Sequence, residues 1–285
     1  MHIPNRNSGT DDVEAVRTLL QTQLSRDTFP LPELPEIAVR IVESRESANA
    51  QQLADVIKSD RGMTLYVLRV AGSAPNRAVM PIASLPHAIA WLGLDEVANV
   101  AFTRALQPRM LDVPGHQRKA RRLWRYSLAS ALWSRQLALA LKREAGLCYL
   151  CGLLHGIGKA VTLRAAHDLA TLSARSLADI EYDQLLEEFH REVAARVAVR
   201  WRLPEPVVEV ATRWDDCSTG GASLERSIVN LTHRLADSSR RGGSPSTREL
   251  MMGEFRRLGL APEQADRVLG SGRGIVQELD RYLAP

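Results

Sequence analysis

Across 285 residues the chain is 45% hydrophobic and 25% charged, a balance that excludes a disordered or fibrous polypeptide and supplies ample material for a core. No run reaches the roughly 18 to 20 uninterrupted apolar residues that span a bilayer, and the polar start MHIPNRNSGTDDVEAV lacks the apolar stretch of a secretion signal, so a cytoplasmic protein without membrane contact is expected. Three cysteines argue against a disulfide framework, and a net charge of +4 with a pI near 9.2 is too mild to imply nucleic-acid binding by itself.

Helical periodicity runs through the chain. DDVEAVRTLLQTQL opens with Asp11 and Asp12 as N-cap candidates and puts Val13, Val16, Leu19, Leu20 and Leu24 on one stripe. LPELPEIAVRIVESRES follows, with prolines suited to a helix start and Ile37, Ile41 and Val42 facing inward. NAQQLADVIKSD predicts a short helix capped by Asn49, and RGMTLYVLRVAGSA carries Leu65, Leu68 and Val70 until Gly72 and Pro75 end it. SLPHAIAWLGLDEVANVAFTRAL predicts two helices, the first capped by Ser84 and the second opening at Asp95 after Gly93. QPRMLDVPG reads as a connector. A long helix is expected over about 117–143, then the apolar AGLCYLCGLLH, then helices near 166–175, 182–202, 205–214 and 223–239. Beyond a flexible RRGGSPS, shorter helices fall near 247–258, 262–269 and 274–283. No run alternates with the period of a strand, so the fold class is all-α.

Two local motifs are set aside. Cys148 and Cys151 form one C-x-x-C inside an apolar helix, and no second pair completes a tetrahedral zinc site, so they read as core. GIGKA lacks the first glycine of a phosphate loop, where Leu153 stands, and the hydroxyl after its lysine, where Ala160 stands. Lys159 is instead expected at a helix end, near the negative pole of the dipole.

The order of segments resembles the HDOD family, the HD-related output domains of bacterial signalling. LPELPEIAVRIVE is similar to that family's opening, and LADVIKSDRGMTLYVLRVAGSA to its next two helices, with Asp60, Leu68, Arg69, Ala71, Ser73 and Ala74 in matching places. IASLPHAIAWLG echoes the family's ISS-x-x-x-AI-x-x-LG, and LWRYSLASALWSRQLA resembles the helix that normally reads LWRHS. CGLLHGIGK matches the usual AGLLHDIGK, and FHREVAARVAVRWRLPEPVVEVATRWDD the last family helices. The resemblance covers residues 28–217 and implies a multi-helix, HD-like bundle in two helical halves. The expected division is an N-terminal extension over 1–27, the HDOD domain over 28–220 and a packed helical extension over 221–285.

Relatives with a two-metal phosphohydrolase site need imidazoles and carboxylates converging on the ions, which generate hydroxide and absorb phosphate charge. Carried over position by position, the resemblance places Tyr126 where the first histidine stands, His155 and Gly156 at the His-Asp pair, His190 at the next histidine, and Trp214 and Asp215 at the late His-His pair. Tyrosine, tryptophan and glycine are poor or null ligands, so the pattern implies a degenerate site with no catalytic residue, metal or cofactor. A substitute set drawn from His167, Asp168 and Asp215 remains open, as does HD-type phosphodiesterase activity. Separately, Arg118, Lys119, Arg121, Arg122 and Arg125 crowd the start of the long helix, which suits phosphate in a nucleic acid or cyclic dinucleotide, or else a solvated helix face. The resulting expectation is a non-catalytic bacterial signalling adaptor with protein partners.

Overall fold

In the computed structural model, which describes residues 8–72, 82–216, 221–241 and 245–284, every regular element among the described residues is an α-helix. Helix α1 (Ser8–Ser25) turns Val13, Val16, Leu20 and Leu24 into the core, while Leu19 faces outward. An N-terminal group follows: α2 (Glu36–Glu46), α3 (Ala50–Lys58), α4 (Arg61–Gly72), α5 (Leu85–Leu92) and α6 (Leu94–Leu111). Short polar side chains start three of these helices, α3, α4 and α5. Asn49 accepts the Gln52 amide at 2.9 Å, Asp60 that of Met63 at 2.9 Å, and Ser84 that of His87 at 3.3 Å, each satisfying an amide that has no partner within its helix. Gly93, at φ +88°, turns the chain from α5 directly into α6.

The second group is built on α7 (Gln117–Ala140), against which α8 (Ala145–Leu154) and α12 (Leu224–Arg241) pack. The mid-section of α7 reads LASALWS, and its small residues admit close neighbours. A Cβ at Gly152 of α8 would lie 2.7 Å from the Ala131 Cα, so the two backbones touch at a place only glycine permits. Helices α9 (Ile157–Leu172), α10 (Asp179–Arg200) and α11 (Glu205–Arg213) complete this layer, followed by α13 (Pro245–Arg257), α14 (Pro262–Gly270) and α15 (Gly272–Leu283). The most apolar stretch, 145–172, covers α8 and α9 and is mostly buried by neighbouring helices.

Helix α15 bridges the two groups by packing on both α7 and α4. Tyr66 donates to the Tyr282 carbonyl at 3.0 Å and Arg69 to that of Ala284 at 2.8 Å. Arg135 of α7, largely buried, forms a two-pronged pair with Glu278 at 2.8 and 2.9 Å and a second pair with Glu96 of α6.

Four local expectations change. Helix α1 begins at Ser8, ahead of Asp11 and Asp12, and Asp12 instead accepts from Arg175 at 2.8 Å and from the Ser176 amide at 3.2 Å, tying α1 to the α9–α10 turn. The presumed connector at 107–115 is largely helical, because Pro108 falls in the last turn of α6, close enough to its end for the lost hydrogen bond to be tolerated. Helix α9 begins at Ile157, nine residues before the expected 166, and this puts Lys159 in its first turn, the wrong end for the dipole. Its charge is met by Glu187 at 2.6 Å. Ser73, Ala74 and Pro75, the GGS at 242–244 of the glycine-rich stretch, and Cys217 lie outside the described residues.

Candidate functional site: a buried imidazole pair

His155 is the C-cap of α8 and Gly156 the N-cap of α9, so the segment CGLLHGIGK is a helix–helix corner. Its glycines have separate duties. Gly152 admits α7, and a Cβ at Gly158 would overlap the carbonyl oxygen of His190, so α9 and α10 also meet backbone to backbone. At Gly156 a Cβ would come within 2.7 Å of the Ser127 hydroxyl, which is the tip of a side chain that can rotate. This corner fixes His155 where α7, α8, α9 and α12 converge.

Both ring nitrogens of His155 are engaged. Nδ1 lies 2.6 Å from the Gly152 carbonyl, which can only accept, so Nδ1 carries the proton. Nε2 is then the acceptor, and the group 3.1 Å from it is Nδ1 of His233 on α12, which donates. Burial, reinforced by His233, pushes the pKa of His155 down to about 3. Burial, then the Lys159 ammonium, pushes His233 down to about 4. Both rings are neutral at pH 7.

The other carried-over positions frame this pair. The Tyr126 hydroxyl donates to Asp237 at 2.5 Å while its ring stacks on His233 with centroids 5.8 Å apart. Trp214 packs on His233 at 4.2 Å and edge-on to His155 at 5.1 Å. The Lys159 ammonium stands 5.9 Å over the Trp214 ring. His190 donates from Nδ1 to the Leu186 and Glu187 carbonyls at 3.1 and 3.0 Å, and its buried Nε2 has no hydrogen-bond partner. Asp215 approaches that nitrogen only to 3.8 Å and pairs with Arg191 at 3.0 Å. Burial, then Lys159, holds His190 below the usual imidazole range.

This donor set does not fit a two-metal centre. The bridging carboxylate is absent at Gly156, the free lone pair of His155 is capped by an N–H, and the Tyr126 hydroxyl is spent on Asp237. Among the described residues no three His, Cys, Asp or Glu side chains gather as a metal site would require. The substitute set does not assemble either. His167 packs edge-on to His116 at 5.3 Å, and Asp168 pairs with Arg164 at 2.8 Å in a separate groove of about 320 Å³ beside Pro30 and Arg109. Only Asp215 borders the cluster.

The basic start of α7 divides. Lys119 is buried and bonded to Asp183 and to the Asp179 carbonyl at 2.8 Å, which makes it a brace between α7 and α10. Arg122 leans on the same Asp183 at 3.8 Å and Arg125 on Asp280 at 3.3 Å. Arg118 and Arg121 remain exposed, with no ion pair among the described residues. The C-x-x-C thiols are buried, and burial pushes the Cys148 pKa up to about 12 and that of Cys151 higher still, which leaves both inert.

His233 and Asp237 were missed in the sequence. The signal that could have found them is their i, i+4 spacing in LTHRLAD, which puts an imidazole and a carboxylate on one helix face beside the apolar stripe of Ile228, Leu231 and Leu235.

The HDOD domain family matches residues 31–216. A curated relative from Treponema pallidum (strain Nichols), described as an uncharacterized protein, is 26% identical over 208 residues, which is 69% of this chain and 40% of that protein. A chain from Shewanella amazonensis SB2B, described as a candidate metal-dependent phosphohydrolase, superposes with a TM-score of 0.75 at 20% identity, covering 96% of this chain and 99% of its own. An HDOD domain protein of unknown function from Geobacter sulfurreducens gives 0.68 at 21% identity over 96% and 97%. A candidate signal transduction protein from Marinobacter aquaeolei VT8 gives 0.63 at 25% identity over 98% and 68%. With about two thirds of its length matched and the same helical architecture in solved relatives, this chain belongs to the HDOD family.

Proposed function

We propose that this chain is a non-catalytic signal-transduction regulator of a bacterial cytoplasm that works by docking protein partners. Membership of the HDOD family and the likeness to the Marinobacter signalling protein support the signalling role. The observation that carries the non-catalytic part is the His155–His233 hydrogen bond, with Gly156 beside it. The one imidazole kept at the family's His-Asp position spends its lone pair inside the protein, and no carboxylate stands next to it to bridge ions. The fold resemblance to a chain described as a phosphohydrolase does not carry activity across, because chemistry follows the site and not the scaffold.

The test is elemental analysis of the purified chain, paired with hydrolysis assays on a generic phosphodiester and a cyclic dinucleotide with added Mn²⁺. Less than a tenth of an equivalent of metal and no turnover above the buffer rate are expected. Stoichiometric divalent metal, with turnover abolished by His155→Ala, would overturn the reading. Exposed Arg118 and Arg121 support a second reading, phosphate binding by α7. It predicts salt-sensitive nucleic-acid binding that is lost when both arginines become glutamate.

A further inference from the structure

Helices α12 and α15 both lie on α7, and together the three enclose an open pocket of about 160 Å³. Its walls are apolar: Ala129 and Trp133 of α7, Ala236 of α12, and Ile275, Val276 and Leu279 of α15. The two alanines leave space that longer side chains would occupy. Trp133, Ile275 and Leu279 are buried, whereas Val276 is 39% exposed. Among the described residues, the only charged side chains on the lining are Arg122 and Arg125. Tyr126 lies beside them with its hydroxyl already donated to Asp237.

No carboxylate lines the pocket, and the acids around it are shared. Buried Lys119 holds Asp183 and stands 3.8 Å from Asp179, so Arg122 reaches Asp183 only at 3.8 Å. Asp280 stands 3.3 Å from Arg125. Even with Asp179, Asp183, Asp237 and Asp280 all counted, the five cations from Arg118 to Arg125 keep a surplus of one. Arg122 and Arg125 are each about half exposed, with side-chain accessibilities of 53% and 50%, so solvent screens their present pairs and an incoming carboxylate can displace them.

Size, walls and charge select one ligand class. The volume is close to the roughly 150 Å³ that holds a benzene ring, and well under the roughly 300–1,000 Å³ of drug-sized sites. A nucleobase carries donors and acceptors on its edges, and these walls offer them no partner. A hydrocarbon body loses nothing there, while a guanidinium fork matches a carboxylate in both geometry and charge. We propose that this pocket binds a small apolar carboxylate, with a single ring or short branched chain against Trp133, Ile275 and Leu279 and its carboxylate on Arg122 and Arg125. Since the walls come from α7, α12 and α15, a bound acid ties two helices beyond the family-matched segment to the body. The site stands independently of the docking role proposed above.

The probe is phenylacetate, titrated calorimetrically into the full chain, with 2-phenylethanol as its uncharged counterpart and acetate as the head group alone. Phenylacetate should bind saturably at one site and raise the melting temperature as its concentration rises. Both controls should bind at least tenfold more weakly. Arg122→Gln/Arg125→Gln, at two exposed positions, should weaken phenylacetate at least tenfold, and Val276→Glu should do the same by setting a carboxylate at the pocket. Arg118→Gln/Arg121→Gln, on the same helix but off the lining, should change it less than twofold. Melting curves without ligand check that each variant folds. No saturation by about 10 mM phenylacetate would overturn the proposal. So would equal binding of either control, wild-type affinity in Arg122→Gln/Arg125→Gln, or an equal loss in Arg118→Gln/Arg121→Gln, which would assign the binding to the general positive field of α7.

Discussion

Nε2 of His155 lies 3.1 Å from Nδ1 of His233, two imidazoles 78 positions apart in sequence joined in the interior by one proton. Each ring is held neutral by burial, and each fixes the other's tautomer. Replacing His233 by leucine removes the donor and leaves a buried acceptor unpaired. We expect a loss of about 1–3 kcal/mol, read as a lower midpoint in urea denaturation with an unchanged slope. A wild-type midpoint would mean that the bond contributes nothing.

The same pair sets an acid limit. Both folded-state pKa values lie below the ordinary 6.5, so between that value and about 4 the unfolded chain binds protons that the folded one refuses. Stability is therefore full above about pH 6.5 and falls as pH drops, by up to about 1.4 kcal/mol per pH unit for each histidine. Melting curves from pH 7 to 4.5 should show this slope, and it should shrink by about a third in His233→Gln, because His155 and His190 also stay neutral in the folded chain. An equal slope in the variant would assign the acid sensitivity to other groups.

The three glycines of CGLLHGIGK should respond differently to alanine. At Gly158 the new methyl meets the His190 carbonyl and at Gly152 the α7 backbone, neither of which can step aside. About 3 kcal/mol or more should be lost at each, seen as insoluble expression or a sharply lower melting temperature. At Gly156 the obstacle is the Ser127 hydroxyl, so Gly156→Ala should be mild and Ser127→Ala should relieve it. If Gly158→Ala were as mild as Gly156→Ala, the close helix contact would be wrong.

Arg135 is the guanidinium that pairs with both Glu96 and Glu278. Arg135→Met strands two carboxylates in the interior and should cost about 3–5 kcal/mol. Adding Glu96→Gln and Glu278→Gln should restore much of that, because a neutral set needs no counter-charge. A triple variant no more stable than the single one would show that packing, rather than charge, governs the site.

Much of this architecture could be read from the sequence. The helices after residue 179 fall within a few residues of their expected places, because amphipathic stripes and proline or glycine boundaries are local signals. The caps at Asn49 and Ser84 are of the same kind. What escaped was non-local or lay inside uniformly apolar sequence. The start of α9 at Ile157 is hidden because α8 and α9 are both buried and no polar face marks the break. The braced role of Lys119 depends on Asp183, 64 positions away, and could not be told from a solvated arginine-rich face. At the candidate site the residue types at the family positions were legible, but the partner that consumes His155 lies on a helix the resemblance did not reach.

That last point bears on how such a protein can be handled. The family match ends at residue 216, whereas His233, Asp237 and the α15 residues that meet Tyr66 and Arg135 all lie beyond it. A fragment trimmed to the recognisable segment would expose the flank of α7, uncap a buried imidazole and unpair an interior arginine in one cut. The segment matched by the family is thus smaller than the unit these contacts hold together, and a chain cut at residue 216 is expected to melt well below the full chain.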